Sequence, residues 1–187
     1  MIDYKTFKKE YLNEWVDKSQ AARKAAEELA NKEVKTSLRN LYKDTLIFIL
    51  DEHKVEFKGE NEKNPKDTEY NFFTYEEAME RFGKANNDGW RLPTKKELEA
   101  LKDNYPYEFD KDSKQGIFDR RLYLPAAGFS YCNGVVDNVG FEGDYWSSTP
   151  DCSDTAWYLY FNSSGVYVYS SGGRCIGSSV RLVRDVK

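Results

Sequence analysis

The sequence contains very little histidine and no long apolar run. Its one histidine, His53, argues against a His-based catalytic triad or zinc site. The longest strongly apolar run, Leu46–Leu50, is far too short to cross a bilayer, so no membrane insertion is expected. Charged residues rather than an apolar segment follow Met1. We therefore predict no signal peptide and a cytoplasmic or virion-associated protein.

A strong charge of either sign is also lacking. The 28 Lys and Arg residues face 32 Asp and Glu residues, for a net charge of -4. This balance argues against a nucleic-acid partner, which would favour a basic surface. Cysteine is scarce too: there are three, an odd number, with no CxxC spacing. Together with the missing signal peptide, this predicts that no disulfide framework forms.

The composition changes sharply along the chain. Residues 121–187 hold eight of the 12 glycines, ten serines, all three cysteines and half of the 14 tyrosines. Binding loops favour Tyr, Ser, Gly and Asn, because Tyr offers a large contact area at low entropic cost while the others adapt their hydrogen bonds. An ordinary β-rich domain with many turns has a similar composition, so composition alone leaves both interpretations open.

Helices are indicated in the first part of the chain. Apolar residues recur there at steps of three and four, and neither Gly nor Pro interrupts residues 1–58, which predicts a helical extension over residues 1–48. Two shorter helices are predicted after Thr74 and Thr94. Each threonine is followed three residues later by a glutamate, the pattern of a capping box.

Strands are indicated in the second part, where the apolar period changes to two. Trp157, Leu159 and Phe161 form the predicted buried face of one strand. Ser163–Gly165 is typical of a hairpin turn, so the next strand should pair antiparallel with it. Helices followed by an antiparallel sheet indicate an α+β fold. The pairing would place four tyrosines on one side of the sheet: Tyr158, Tyr160, Tyr167 and Tyr169.

Five motifs follow one another in a fixed order. They are FTYEEAMERFGKANNDGWRLPTKKELEAL, LPAAGFS, GDYWSST, AWYLYF and GSSVRLVRD. With them the chain resembles the C-type-lectin-like domains of gut-bacterial surface and adhesin proteins, which are relatives of the formylglycine-generating-enzyme fold. Within that group it is most similar to the variable proteins of diversity-generating retroelements.

The resemblance implies both a fold and a function. The fold is α+β and C-type-lectin-like, with two helices packed on a small antiparallel sheet with long loops. This domain would span residues 49–187, after the helical extension at residues 1–48. A ligand-binding face diversified by the retroelement would lie within residues 130–177. In such proteins, randomised adenines convert Asn codons into codons for Tyr, Ser, Asp, Cys and Gly.

Residues of those types occupy outward positions in three segments of this chain. Because successive strand residues point to opposite faces, one face can vary while the other preserves the core. The interleaved apolar residues are the predicted invariant core: Trp157, Leu159, Phe161, Val166 and Val168. The candidate ligand-binding residues are Tyr131, Cys132, Asn133, Asp151, Cys152, Ser153, Asp154, Tyr158, Tyr160, Asn162, Tyr167, Tyr169, Ser170, Ser171, Gly172 and Gly173.

Two other functions stay open. The first alternative is an unvaried adhesin or carbohydrate-binding domain of the same fold. The second is a formylglycine-generating-type enzyme, which would oxidise its substrate through cysteines. Cys132 and Cys152 lie within the candidate diversified segments, where Cys is an expected product of randomisation. We therefore predict no catalytic residue and no enzymatic activity.

The loop acids raise the question of a metal ion. No EF-hand loop and no animal-lectin sugar motif is present, so neither a metal nor a cofactor is predicted. The predicted partner is a macromolecular ligand, either a protein or a surface glycan, and the oligomeric state is left open. His53 is predicted to be a solvated surface residue. The loop acids and amide considered as calcium ligands are Asp137, Asn138, Glu142, Asp144, Asp151 and Asp154.

Overall fold

The structure, a computed structural model, describes Lys24 and residues 46–186. The predicted helical extension at residues 1–48 therefore lies almost entirely outside the described residues. Lys24 is helical, but Ile47 begins the first strand, β1, which ends at Leu50. This strand crosses the predicted domain boundary at residue 48, because its apolar side chains are part of the core that follows.

Two helices have the predicted caps. Helix α1 spans Tyr75–Phe82 and helix α2 spans Lys95–Asn104. In each capping box the threonine hydroxyl accepts a hydrogen bond from the backbone N–H of the glutamate three residues later, and that carboxylate accepts one from the threonine N–H. Each cap stabilises its helix by about 1 kcal/mol, so both helices begin at the residues that the sequence predicts.

The first sheet brings the two ends of the domain together. It contains β1, β2 (His53–Phe57) and β11 (Val183–Asp185), in the order β1-β2-β11, with both pairs antiparallel. Phe48, Leu50 and Val55 point into the core from this sheet.

Two smaller sheets follow the helices. The second sheet contains β3 (Tyr107–Asp110), β4 (Gln115–Phe118) and β5 (Leu122–Pro125), and all of its pairs are antiparallel. Strands β6 (Phe129–Ser130) and β7 (Val136–Asp137) form a short two-stranded ribbon. The described part of the chain therefore combines small antiparallel sheets with two helices, which is an α+β fold.

The third sheet is the largest and carries the candidate binding residues. It contains β8 (Glu142–Pro150), β9 (Thr155–Asn162) and β10 (Gly165–Gly173), in the order β10-β9-β8. Strands β9 and β10 form the predicted hairpin, with Asn162 opposite Gly165. The hairpin prediction is confirmed.

Two apolar clusters hold these sheets together. The larger packs Phe48 and Leu98 against Phe161 on the inner face of the third sheet. The smaller surrounds Trp146, which is fully buried on the opposite face and donates a hydrogen bond from Nε1 to the Phe73 carbonyl at 2.8 Å. The third sheet is thus covered on both faces at Trp146, and only the rest of its outer face is open.

An ion network joins the first sheet to α2. The buried Glu97 carboxylate accepts hydrogen bonds from Arg91 at 2.7 and 2.9 Å, and Arg91 also contacts Asp185 at 2.8 Å. Burial alone would raise the pKa of Glu97, but the hydrogen bonds and the charge of Arg91 outweigh it and lower the pKa. The Nε2 atom of His53 lies 3.1 Å from Glu97. His53 is exposed at the surface, as predicted, and its ring also belongs to this network.

Trp157 is the exception to the predicted core face. Leu159 and Phe161 are buried as expected, but Trp157 is only half-buried, and the Lys95 ammonium lies 3.4 Å from its ring centroid. The pairing of β8 with β9 shifts register between Trp146 and Pro150, at the level of Trp157. Trp157 belongs to neither apolar cluster and is covered by Lys95 instead.

Candidate ligand-binding face

Four tyrosines form a continuous cluster on the outer face of the third sheet. Tyr160 lies opposite Tyr167 and Tyr158 opposite Tyr169 across the β9–β10 pair, so all four share one side. We call these four residues the tyrosine face. Neighbouring ring centroids are 5.4 to 6.3 Å apart, and the rings of Tyr167 and Tyr169 are stacked. These two are 39% and 41% exposed, and the other two are half-buried.

Hydrogen bonds fix the middle of the tyrosine face. The Tyr160 hydroxyl donates to Glu142 at 3.2 Å and accepts from the Asn162 side-chain amide at 2.6 Å. Burial, followed by the charge of Glu142, raises the pKa of Tyr160 to about 12. The second oxygen of Glu142 accepts from Asn138 at 2.9 Å. Tyr160 is therefore a neutral, oriented ring rather than a freely rotating surface side chain.

A carboxyl group lies beside these rings. Asp144 on β8 pairs directly with Tyr160 on β9, so its side chain is on the same side of the sheet. Only 6% of Asp144 is exposed, and its Oδ1 atom is buried without a hydrogen-bond partner. Burial, followed by the charge of Glu142, raises the pKa of Asp144 to about 8. From the sequence, Asp144 was considered only as one of several loop acids, and its burial was not predicted.

The first candidate loop is held by a disulfide bond. Cys132 is bonded to Cys175, with their Cα atoms 5.0 Å apart. The prediction that no disulfide framework forms is wrong, because folding brings together two cysteines that are 43 residues apart in sequence. The candidate residues Tyr131, Cys132 and Asn133 are exposed in this loop and are tied to the chain just after β10.

The second candidate loop lies at the same end of β10. Asp151, Cys152, Ser153 and Asp154 are all exposed between β8 and β9. The Asp154 carbonyl accepts a hydrogen bond from the Arg174 N–H at 2.9 Å, next to the disulfide. Cys152 is the free cysteine, and its pKa is lowered, first by a hydrogen bond with Thr155. Both candidate loops are therefore joined to the segment that leaves β10.

The end of β10 itself is less uniform than its sequence indicates. Ser171 is exposed, Ser170 and Gly173 are half-buried, and Gly172 is buried. A Cβ atom at Gly172 would lie 2.9 Å from the Tyr158 ring and 3.1 Å from Trp146. Gly172 thus allows these rings to approach the backbone, and its contribution is to the shape of the face rather than to direct contacts.

A groove adjoins the disulfide-bonded loop. Its volume is about 460 Å³, and it is open to solvent between the loop before α1 and the β6–β7 ribbon. Tyr70 and Tyr131 lie on its walls, together with charged side chains. Its lining includes Asn64, Lys66, Asp67, Tyr70, Glu77 and Tyr131.

Sequence reasoning missed an exposed apolar patch beside this groove. Val135, Val139 and Phe141 are exposed around the β6–β7 ribbon, and Phe141 is 75% exposed. An exposed cluster of this kind is the sort of feature that marks interaction sites. Its sequence signal was the run GVVDNVGF, whose apolar residues fit neither of the buried strand faces.

Acidic groups converge at one place in the described residues. Among Lys24 and residues 46–186, the one set of His, Cys, Asp and Glu side chains whose ligand atoms converge comprises His53, Glu97 and Asp185. Arg91 already contacts both carboxylates of this set. The guanidinium therefore occupies the position that a cation would need.

The described fold and surface define a small α+β domain with a tyrosine-rich sheet face. The family model of the Lcl C-terminal domain matches residues 32–184, and the chain belongs to this family. No curated protein and no solved structure matches the chain. Among the described residues, no helix is both long and apolar enough to span a membrane.

Proposed function

We propose that this protein recognises a macromolecular ligand without catalysis, through a C-type-lectin-like scaffold whose outer face is diversified by a retroelement. The observation that carries the proposal is the alternation in β9 and β10. Leu159 and Phe161 hold the core, while the interleaved tyrosines form one face at the surface. Substitution of the outward residues would change the ligand without removing the core contacts.

The chemistry of the face suits recognition. Tyrosine buries a large area with few rotatable bonds, and a few such aromatic residues supply most of the binding energy in many interfaces. A stable protein interface buries about 800 Å² on each partner, more than four rings supply. The two candidate loops around Arg174 and the disulfide would provide the remaining contacts.

The family supports the general part of the proposal, which is ligand recognition. Membership of the Lcl C-terminal domain family is compatible with ligand recognition. Diversification by a retroelement is the more specific part of the proposal. It is supported by the residue types at the outward positions. The partner would be a protein or a surface glycan rather than a nucleic acid, since the net charge is -4.

The DNA that flanks the gene tests the retroelement. We expect a near-identical repeat of the segment encoding residues 130–177, with mismatches confined to adenines, beside a reverse-transcriptase gene. The mismatched codons should fall on the outward residues and spare Leu159 and Phe161. A flanking region without such a repeat would contradict diversification and favour an unvaried adhesin.

The groove favours one second candidate, an unvaried carbohydrate-binding domain. Its two tyrosines and its hydrogen-bonding side chains are the groups that commonly contact sugars. Glycan-array binding by the wild type and by Tyr131→Ala separates the two candidates. Loss of a defined glycan signal in Tyr131→Ala, with no change in Tyr167→Ala, would favour the groove.

The disulfide bond of Cys132 supports a function without catalysis. An oxidase of the formylglycine-generating type would need reactive thiols, but Cys132 is joined to Cys175 in a disulfide. Cys152 is an exposed loop residue whose side chain contacts the Thr155 hydroxyl. The ring of His53 lies in the ion network with Glu97.

A further inference from the structure

We infer that the tyrosine face binds an ammonium or guanidinium group of its ligand, with the Asp144 carboxylate as the counter-charge. The inference rests on the proposed function and specifies the chemistry of the ligand. It begins from the buried Oδ1 atom of Asp144, which has no hydrogen-bond partner. Buried carboxyl oxygens are almost always hydrogen-bonded, so an unpartnered one at a candidate site needs an explanation.

The surroundings of Asp144 favour a cation as the missing partner. Strands β8, β9 and β10 contain no Lys or Arg, so no basic residue on these strands neutralises Asp144. Glu142 is the other acid on this side of the sheet, and both of its oxygens are occupied by Tyr160 and Asn138. The free acceptor at this point therefore belongs to Asp144.

The aromatic rings complete a site for a positive charge. The face of a tyrosine ring attracts a cation that lies within about 6 Å of its centroid. Tyr158 and Tyr160 are the residues of β9 whose hydroxyls feel the charge of Asp144, and each ring is within 6.3 Å of Tyr169. A basic group between these rings would meet π faces and one carboxylate, the combination that recognises amines.

The ligand group must also donate a hydrogen bond. The Oδ1 atom accepts but cannot donate when Asp144 is ionised, so an N–H donor satisfies it and a quaternary ammonium does not. Only 6% of Asp144 is exposed, and its side chain lies on the same side of the sheet as Tyr160. The fitting group is therefore a lysine-like ammonium or an arginine-like guanidinium on the ligand.

Binding should strengthen with pH. Asp144 holds its proton at neutral pH, and a cation binds the ionised form, so affinity increases as pH rises from about 6 to about 9. The titratable groups near Asp144 are Glu142 on β8, Tyr158 and Tyr160 on β9, and Tyr145 on the inner face. The pKa values of these three tyrosines are raised, so they stay neutral over this range. The Glu142→Gln variant separates the contribution of Glu142 to this pH dependence from that of Asp144.

The test titrates the full chain with simple probes followed by NMR. The probes are Nα-acetyl-lysine amide, Nα-acetyl-arginine amide, the neutral Nα,Nε-diacetyl-lysine amide and tetramethylammonium. We expect saturable shifts of tyrosine-face resonances with one or both of the first two, and at least a tenfold weaker response to the last two. Asp144→Asn should weaken binding at least tenfold, and the matched control Asp88→Asn, at an exposed loop residue, should not change it.

Different outcomes overturn different claims. Equal binding of the lysine and diacetyl-lysine probes, or equal binding by Asp144→Asn and wild type, would overturn the role of Asp144. If tetramethylammonium binds as tightly as the lysine amide, the aromatic rings alone account for binding and the hydrogen bond to Asp144 is not needed. If Asp144→Asn has no effect but Tyr167→Ala with Tyr169→Ala reduces binding to a selected ligand, the proposed function stands and the cation inference fails. A folded Asp144→Asn protein is verified by its near-UV circular dichroism.

Discussion

At the residue scale, burial of an ionised Asp144 would cost free energy that no ion pair offsets, whereas the burial of Glu97 is offset by an ion pair. Both carboxyls are almost fully buried, but Glu97 is paired with Arg91, whereas the Oδ1 atom of Asp144 has no partner. A buried carboxylate without a partner is strongly destabilising, so the group takes up a proton instead. The pKa values of the two acids accordingly move in opposite directions.

The first prediction is a pH dependence caused by Asp144. The pKa of Asp144 is raised from 3.8 to about 8, so between these values the native state binds more protons than the unfolded state. Stability must then fall as pH rises from about 4 to about 8, by at most roughly 6 kcal/mol. Asp144→Asn should remove this decline. Urea unfolding of both proteins at about pH 5 and pH 8.5 measures it, and equal pH slopes would contradict the buried, unpaired carboxyl.

The second prediction compares the two faces of the third sheet. Leu159→Ala should destabilise the protein by about 2–5 kcal/mol, because it opens a cavity in the larger cluster. Tyr167→Ala removes an exposed ring and should cost less than about 1 kcal/mol. Tyr160→Ala should fall between them, since Tyr160 is half-buried and hydrogen-bonded to Glu142. Similar decreases in melting temperature for Leu159→Ala and Tyr167→Ala would mean that the two faces are wrongly assigned.

At the element scale, the disulfide controls the loop between β6 and β7. Cys132 lies in that loop, and its partner Cys175 follows β10, so the bond fastens one candidate segment to another. A cross-link of this kind stabilises chiefly by restricting the unfolded chain, and its effect grows with the length of the closed loop.

The third prediction follows from this cross-link. Cys132→Ser with Cys175→Ser should lower the stability by about 2–4 kcal/mol and should loosen the Tyr131–Asn133 loop. Cys152→Ser is the matched control, because Cys152 is free and exposed, and it should leave the melting temperature unchanged. The melting temperatures of the wild type and of both variants are measured by thermal unfolding, with and without a reductant. A wild-type melting temperature that is insensitive to reductant would show that the bond does not form in solution.

The hairpin and both capping boxes were predictable, whereas the environment of Asp144 was not. Strands β9 and β10 have one open face, so their apolar and polar residues alternate in the sequence. Strand β8 is buried on both sides from Gly143 to Ser147, so the sequence of this strand does not show which of its two faces belongs to the core. The disulfide was hidden for another reason: three cysteines do not specify a pair, and only the fold brings Cys132 near Cys175.

At the scale of the whole molecule, the ion network of Arg91, Glu97 and Asp185 joins the first sheet, the entry to α2 and the end of the chain. Its carboxylates resemble a metal site by position alone, but the guanidinium fills the space between them. Breaking a buried pair by removing one partner typically costs about 3–5 kcal/mol, so the network holds distant parts of the chain together.

The fourth prediction is that EDTA leaves the melting temperature unchanged. Among the described residues, no other set of three or more His, Cys, Asp or Glu side chains converges, and Arg91 already satisfies the carboxylates of the one set that does. A ligand that binds only the native state raises its stability, so removal of a required ion would lower the melting temperature. A drop of several degrees on chelation, reversed by calcium, would reveal a metal site and contradict this prediction.

The central claim is that the outer face can vary and bind while the inner face holds the fold. The most direct measurement is a display experiment with two libraries, one randomised at Tyr158, Tyr160, Tyr167 and Tyr169 and the other at inward residues of the same two strands. We expect that most members of the outward library display a folded, protease-resistant protein and that binders to unrelated purified proteins can be selected from it. The inward library should be largely unfolded. An outward library that unfolds as often as the inward one, or that yields no binders while folding, would contradict the account.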